Sequence, residues 1–149
     1  GAHVVAFTRS PGKVEECRRL GADEVLVSSS ADELAKHSRS FDLIINTVSA
    51  SQDLQTFVML LKRDATLVLV GIPDKPHELQ VFPLLGMRRR ISGSPIGGIK
   101  ETQEMLDFCA EHNITADVEM INMDQVPEAY DRTVKADVKY RFVIDLGTF

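Results

Sequence analysis

Short runs of continuous apolar residues alternate along this chain with segments whose apolar side chains recur at helical spacing. That alternation constrains the fold more than any other feature. Val4–Phe7, Glu24–Val27, Asp42–Val48, Thr66–Val70 and Arg90–Ser94 read as strands. Between them Val14, Cys17 and Leu20, and then Leu54, Phe57, Val58 and Leu61, fall on single helical faces. Strands joined through helices need crossover connections, so the pattern predicts βαβ units and a parallel sheet. Uninterrupted apolar strands predict a sheet covered on both faces. Local signals mark the ends of elements. Ser10 is placed to cap a helix with Pro11 at its first position, and Gly21 to end it. Ser30-Ala31-Asp32-Glu33 has the spacing of a capping box, opening a short helix through Lys36.

Beyond a proline-containing loop (Pro73, Pro76, Pro83), Gly93, Pro95, Gly97 and Gly98 break the alternation. A helix from about Lys100 to His112 follows, with Met105, Leu106, Phe108 and Cys109 inward. Asp117–Ile121 reads as a strand, Asp124 as the cap of a helix through Ala136, and Tyr140–Leu146 as the last strand. The turn-rich stretch 92–99 is the candidate boundary, separating 1–96 from 97–149.

The 17 basic and 22 acidic residues leave a net charge of −5, which argues against broad binding to nucleic acid or anionic membranes. Hydrophobic residues at 44% and charged residues at 26% exclude wholesale disorder, and no apolar run is long enough to span a bilayer. Cys17 and Cys109 cannot build a multi-disulfide scaffold, so a reducing, cytoplasmic setting is expected. The chain opens on Gly1-Ala2 without an initiator methionine or leader, and reads as a piece of a longer chain.

In a nucleotide-binding parallel sheet, ligands sit off the carboxyl ends of the strands. The first strand here ends in Thr8, Arg9 and Ser10, with Lys13 one turn on. Hydroxyls with two cations suit a 2′-phosphate, where a carboxylate would repel it. The same residues also make an ordinary polar turn, and spacing does not separate the two readings. Asn46-Thr47-Val48-Ser49 and Val70-Gly71-Ile72 are small, neutral strand ends that let a ligand approach the backbone, or are simply turns. Gly93-Ser94-Pro95-Ile96-Gly97-Gly98 lacks the spacing of a phosphate loop and reads as a turn or hinge. His3, His37, His77 and His112 lack the companions of a metal site, and both cysteines sit on apolar helix faces. Arg88-Arg89-Arg90 reads as a solvated edge. No catalytic centre stands out.

Five stretches together carry a resemblance: SPGKVEECRRLGADEVL (10–26), FDLIINTV (41–48), LLKRDATLVLVGIP (60–73), ISGSPIGGIKETQEMLDFCAEH (91–112) and DVKYRFVID (137–145). In this order they resemble the zinc-dependent medium-chain alcohol dehydrogenases, specifically the NADP-dependent, cinnamyl alcohol dehydrogenase-like branch. The resemblance implies an α/β fold: a Rossmann-type parallel sheet lacking its first β-α unit over 1–96. Residues 97–149 would then be the α+β C-terminal part of the catalytic (GroES-like) domain. By the same resemblance Thr8, Arg9, Ser10 and Lys13 hold the NADP 2′-phosphate, although Arg9 stands where many relatives have serine or threonine. Thr47 and Val48 flank the adenosine, Val70, Gly71 and Ile72 the nicotinamide ribose, and Ser94, Pro95 and Ile96 the carboxamide.

The family's G-x-G-G-x-G pyrophosphate turn would lie just before Gly1, and its zinc ligands, proton relay and four-cysteine lobe further upstream. The chain would contain no zinc ligand and be inactive alone, while the parent interconverts primary alcohols and aldehydes with NADP(H) and zinc. In a 3-2-1-4-5-6 sheet the missing strand is central, so its neighbours would be left with unpaired edges or forced together. Marginal stability, or pairing with another chain, is expected of such a sheet. A homodimer through the Arg90–Ser94 edge strand fits the branch. The alternatives are a non-catalytic dinucleotide-binding or dimerisation module and a relative of the zinc-free quinone reductases, against which the tail DVKYRFVID speaks.

Overall fold

Every strand pairing among the described residues, 1–135 and 137–149, is parallel in the computed structural model. The chain divides into two units, Gly1–Ile96 and Gly97–Phe149. In the first, β1 (Val5–Thr8) leads through a turn at Pro11–Lys13 into α1 (Val14–Arg19), β2 (Glu24–Val27) and α2 (Ala31–Lys36). Then come β3 (Phe41–Asn46), α3 (Leu54–Leu60), β4 (Leu61–Leu69), α4 (Phe82–Met87) and β5 (Arg90–Gly93). Among the described residues β1 pairs only with β2, while β3, β4 and β5 form a separate sheet in that order. The expected unpaired edges are therefore present: no ladder joins β1 to β3. Rings bridge the two sheets instead, with Phe7 5.4 Å from Phe41 and 5.8 Å from Phe57.

The core of this unit gathers Ile44, Leu54, Val58, Leu60, Leu61, Ala65 and Leu67. α3 supplies Leu54, Val58 and Leu60, the first two stacked at i and i+4, and β4 supplies Leu61, Ala65 and Leu67. Asp53 starts that helix, its Oδ1 accepting from the Gln55 amide at 2.9 Å. The sheet is not covered on both faces, as its apolar strands predict. Leu43 and Ile45 on β3 are 53% and 61% exposed, since alternation turns them away from the helix that buries Ile44.

Local chemistry explains where elements depart from the sequence expectation. The third strand stops at Asn46 rather than Val48, because the Asn46 side chain takes the Val48 amide at 3.0 Å. β4 begins at Leu61, five residues early, with a register shift opposite Phe41/Leu43 and Asp64 in a left-handed conformation (φ 60°). α4 lies inside the segment read as loop; Pro83 stands in its first turn, where a missing N–H costs nothing. Gly21 ends α1 at φ 101°, but Ser10 makes no side-chain cap. Arg89, read as part of a solvated edge, is 6% exposed. Its guanidinium donates to the carbonyls of Leu61 (3.0 Å from Nε), Pro83 (3.3 Å) and Met59 (3.4 Å), so three elements meet on one cation. Burial first, and the Arg39 charge second, push its pKa down.

The second unit contains α5 (Ile99–Glu111), β6 (Val118–Ile121), α6 (Val126–Val134) and β7 (Arg141–Ile144). β6 and β7 pair in parallel with α6 as their crossover. Asp124 is not the cap expected. The turn at Met123–Gln125 opens on Asn122, whose amide donates to Gln125 Oε1 at 2.8 Å, and Pro127 stands in the first turn of α6. Ala136, the expected end of that helix, lies outside the described residues. Leu146 falls beyond the last strand, in a turn where Asp145 accepts from the Gly147 amide. Met105, Leu106 and Phe108 are half exposed, not inward. Periodicity sets a helix face, but not what lies against it. No described helix is long and apolar enough to cross a membrane.

Candidate functional site

The carboxyl ends of β1, β3, β4 and β5 carry the candidate cofactor-binding positions expected from the sequence. At the end of β1 the chain turns sharply. Thr8 is buried, and its Oγ1 accepts from the Ser10 amide at 3.2 Å. That hydroxyl therefore shapes the turn. Ser10 then caps nothing, which leaves its own hydroxyl uncommitted among the described residues. The Lys13 amide donates to the Ser10 carbonyl at 3.0 Å, closing the short turn ahead of α1. Arg9, Ser10 and Lys13 are exposed, and neither cation forms an ion pair among the described residues. One turn thus presents two unneutralised cations and a hydroxyl, a donor set for a phosphate dianion.

The ends of β3 and β4 are built around Asn46, which is 8% exposed. Its carbonyl accepts from the Val70 and Gly71 amides at 2.9 and 3.2 Å, while its Oδ1 holds Val48. This brings Thr47 and Val48 beside Val70, Gly71 and Ile72. Ser49 Oγ accepts from the Ile72 amide at 3.4 Å and ties the loops a second time. The Ser94 amide donates to the Leu69 carbonyl at 3.2 Å and carries the β5 end onto the same rim. Val48, Ile72 and Ile96 are 45%, 81% and 87% exposed, so the rim offers apolar tips above a hydrogen-bonded backbone. No ladder joins it to the Thr8–Lys13 turn, which sits on the other sheet.

Asn46, which the sequence places at a strand end without a role of its own, is the organising residue. Its signal is a lone amide closing an apolar strand, since a buried amide must find backbone partners. Elsewhere, a cleft of about 410 Å³ lies among Asp53, Gln55, Glu78, Leu79 and Gln80, and includes none of the predicted positions. Among the described residues no three His, Cys, Asp or Glu side chains stand together as a metal site.

Residues 1–111 match the family model described as zinc-binding dehydrogenase. The chain is 62% identical over 149 residues to the aldehyde reductase YahK of Escherichia coli, covering 99% of this chain and 43% of that protein. Among solved structures, a cinnamyl alcohol dehydrogenase from Sorghum bicolor superposes with a TM-score of 0.92 at 41% identity, over 97% of this chain and 41% of that one. A second, from Helicobacter pylori and complexed with NADP(H), gives 0.85 at 33% identity, over 99% and 42%. The chain thus spans less than half the length of the relatives it matches.

Proposed function

The chain belongs to the zinc-binding dehydrogenase family, and from that premise we propose that it is the NADP(H)-holding portion of an alcohol dehydrogenase or aldehyde reductase. The substrates proposed are primary alcohols and their aldehydes, whether aliphatic, benzylic or allylic. When bound, NADPH supplies the hydride. The observation that carries the cofactor choice is the β1 end, where Arg9 and Lys13 stand exposed and without an ion pair among the described residues. A carboxylate at this turn selects for a free ribose 2′-hydroxyl; two cations beside the Ser10 hydroxyl favour a 2′-phosphate. In the same reading the backbone at Thr47 and Val48 meets the adenosine, and that at Val70, Gly71 and Ile72 the nicotinamide ribose. Ser94, Pro95 and Ile96 meet the carboxamide.

Zinc does not fit the residues present, because no ligand set is assembled among the described ones. We assign Gly1–Ile96 to the cofactor domain and Gly97–Phe149 to the C-terminal part of the catalytic domain, and place the protein in the cytoplasm, which its two free cysteines favour. The 149-residue chain by itself turns over no substrate in this proposal. β5 ends its sheet with one edge unpaired among the described residues, and is the edge proposed to join two copies.

Calorimetric titration of the chain with 2′,5′-ADP and with 5′-AMP tests the cofactor assignment. The added phosphate is expected to tighten binding by about tenfold or more, and Arg9→Ala to abolish the difference. Equal affinities for the two nucleotides in the unmodified chain would sink the reading.

A further inference from the structure

The turn between β2 and α2 commits two serines to holding the β1 end, and a third serine and a carboxylate to closing the turn itself. The Ser28 amide and hydroxyl both donate to the Thr8 carbonyl, at 2.8 and 3.3 Å. The Ser29 hydroxyl donates to the Arg9 carbonyl at 3.4 Å. Ser30 caps α2, its Oγ accepting from the Glu33 amide at 3.3 Å. Glu33 does not complete the capping box that the sequence predicts. Its Oε2 instead accepts from the Val27 amide at 2.8 Å, a hydrogen bond that shuts the loop between Val27 and Glu33. A carboxylate at the third helical position thus reaches back past the cap to the end of β2, and Ser28 and Ser29 are turned toward β1.

We propose that this Ser28–Ser29 turn, closed by Glu33, is a positioning device that sets Arg9 for the 2′-phosphate and so fixes the preference for phosphorylated cofactor. The inference rests on the 2′-phosphate reading of the Arg9 turn. Arg9 is exposed and its guanidinium has no ion pair among the described residues, so its backbone sets the point from which the charge is presented. That backbone is held on one side by the Thr8–Ser10 contact and on the other by Ser29. A cation presented on a fixed backbone loses less freedom on binding than one on a loose loop. None of Ser28, Ser29 and Glu33 need touch the ligand. They act through Arg9, and their effect is confined to ligands that carry the 2′-phosphate.

The test uses the 149-residue chain with 2′,5′-ADP and 5′-AMP as probes, and reads the ratio of their dissociation constants. Ser29→Ala and Glu33→Ala are each expected to reduce the preference for 2′,5′-ADP by about three- to tenfold, the size of effect lost preorganisation gives. Affinity for 5′-AMP should stay unchanged. Ser29→Thr, which keeps the hydroxyl, should restore the ratio. Where Glu33→Ala lowers the melting temperature, Ser29→Ala and its threonine counterpart carry the test alone. A purely structural role would weaken both nucleotides equally, and that outcome overturns the proposal. So does an unchanged ratio in Ser29→Ala beside an Arg9→Ala control that loses its preference, which leaves the phosphate reading standing. An unmodified chain without any preference removes both.

Discussion

Gly71 lies so close to Val48 that a Cβ added to it would stand 2.3 Å from the Val48 carbonyl oxygen and 2.5 Å from its carbon. Both atoms are backbone, and neither is free to move. Asn46 holds the Val48 amide with its side chain and the Gly71 amide with its carbonyl. Gly71→Ala must therefore separate the β3 and β4 ends or break this hydrogen-bonded hub. The expected cost is about 1–3 kcal/mol, the usual penalty of overpacking. It should appear as a lower urea midpoint with an unchanged slope. A wild-type midpoint would mean that the two loops part freely.

Arg89 gives the second prediction. Its buried guanidinium satisfies carbonyls at the end of α3, the start of β4 and the first turn of α4. Removing it strands those acceptors away from water, while Arg89→Lys replaces a planar fork with one ammonium that cannot reach all of them. Arg89→Ala should lose about 3 kcal/mol or more, and the lysine variant a smaller part of that. Equilibrium denaturation of both variants checks the order. A lysine variant as damaged as alanine would show that shape, and not charge, fixes this junction.

These two residues also mark how far the sequence could be read. β2 and α2 were legible to the residue, because apolar run, Ser30 cap and turn agree at short range. The strand ends were less so: β3 stops at Asn46 and β4 begins at Leu61, away from the limits that the apolar runs suggest. The Gly71–Val48 contact was not, since it exists only once β3 and β4 are neighbours in register. Arg89 was hidden inside a run of three arginines whose two outer members are exposed; its burial depends on carbonyls 28 to 30 residues away. α4 was concealed by Pro83, which breaks a helix in its interior but is at home in its first turn. The role of Glu33 was misplaced for a related reason: spacing matched a capping box, and the competing Val27 amide belongs to the preceding strand.

The open edge of β5 yields a prediction about assembly. Gly93 is exposed, and a Cβ there meets only the Leu69 carbonyl at 3.6 Å, an ordinary contact. A side chain is thus tolerated in the monomer. In a two-fold interface through this edge, each copy of a residue faces its counterpart region, so one added charge acts twice. Gly93→Glu should convert a dimeric mass in light scattering to a monomeric one without lowering the melting temperature. A monomeric mass for the unmodified chain across micromolar concentrations would sink the proposed interface.

The Glu119–Arg132 pair predicts the acid limb of stability. The Lys139 amide donates to Glu119 Oε1 at 2.9 Å and Arg132 to Oε2 at 2.7 Å. The amide first, and the guanidinium second, hold the Glu119 carboxyl below its ordinary range. Arg132 also pairs with Asp137 at 3.2 Å and lies 4.8 Å over the Phe142 ring, so one cation links β6, α6 and β7. A carboxyl whose folded pKa is depressed binds its proton more readily when unfolded. Its stabilisation is therefore present above the unfolded value, about 4.3, and drains away as pH falls through the lower folded value. Glu119→Gln lacks that titration. Its melting temperature should lie below that of the unmodified chain at neutral pH, with the gap closing as the medium is taken toward pH 3. Both groups are partly exposed, so salt should narrow the gap as well. A gap that stays constant with pH would mean that Glu119 acts by its shape and hydrogen-bonding atoms alone, and that its charge contributes nothing.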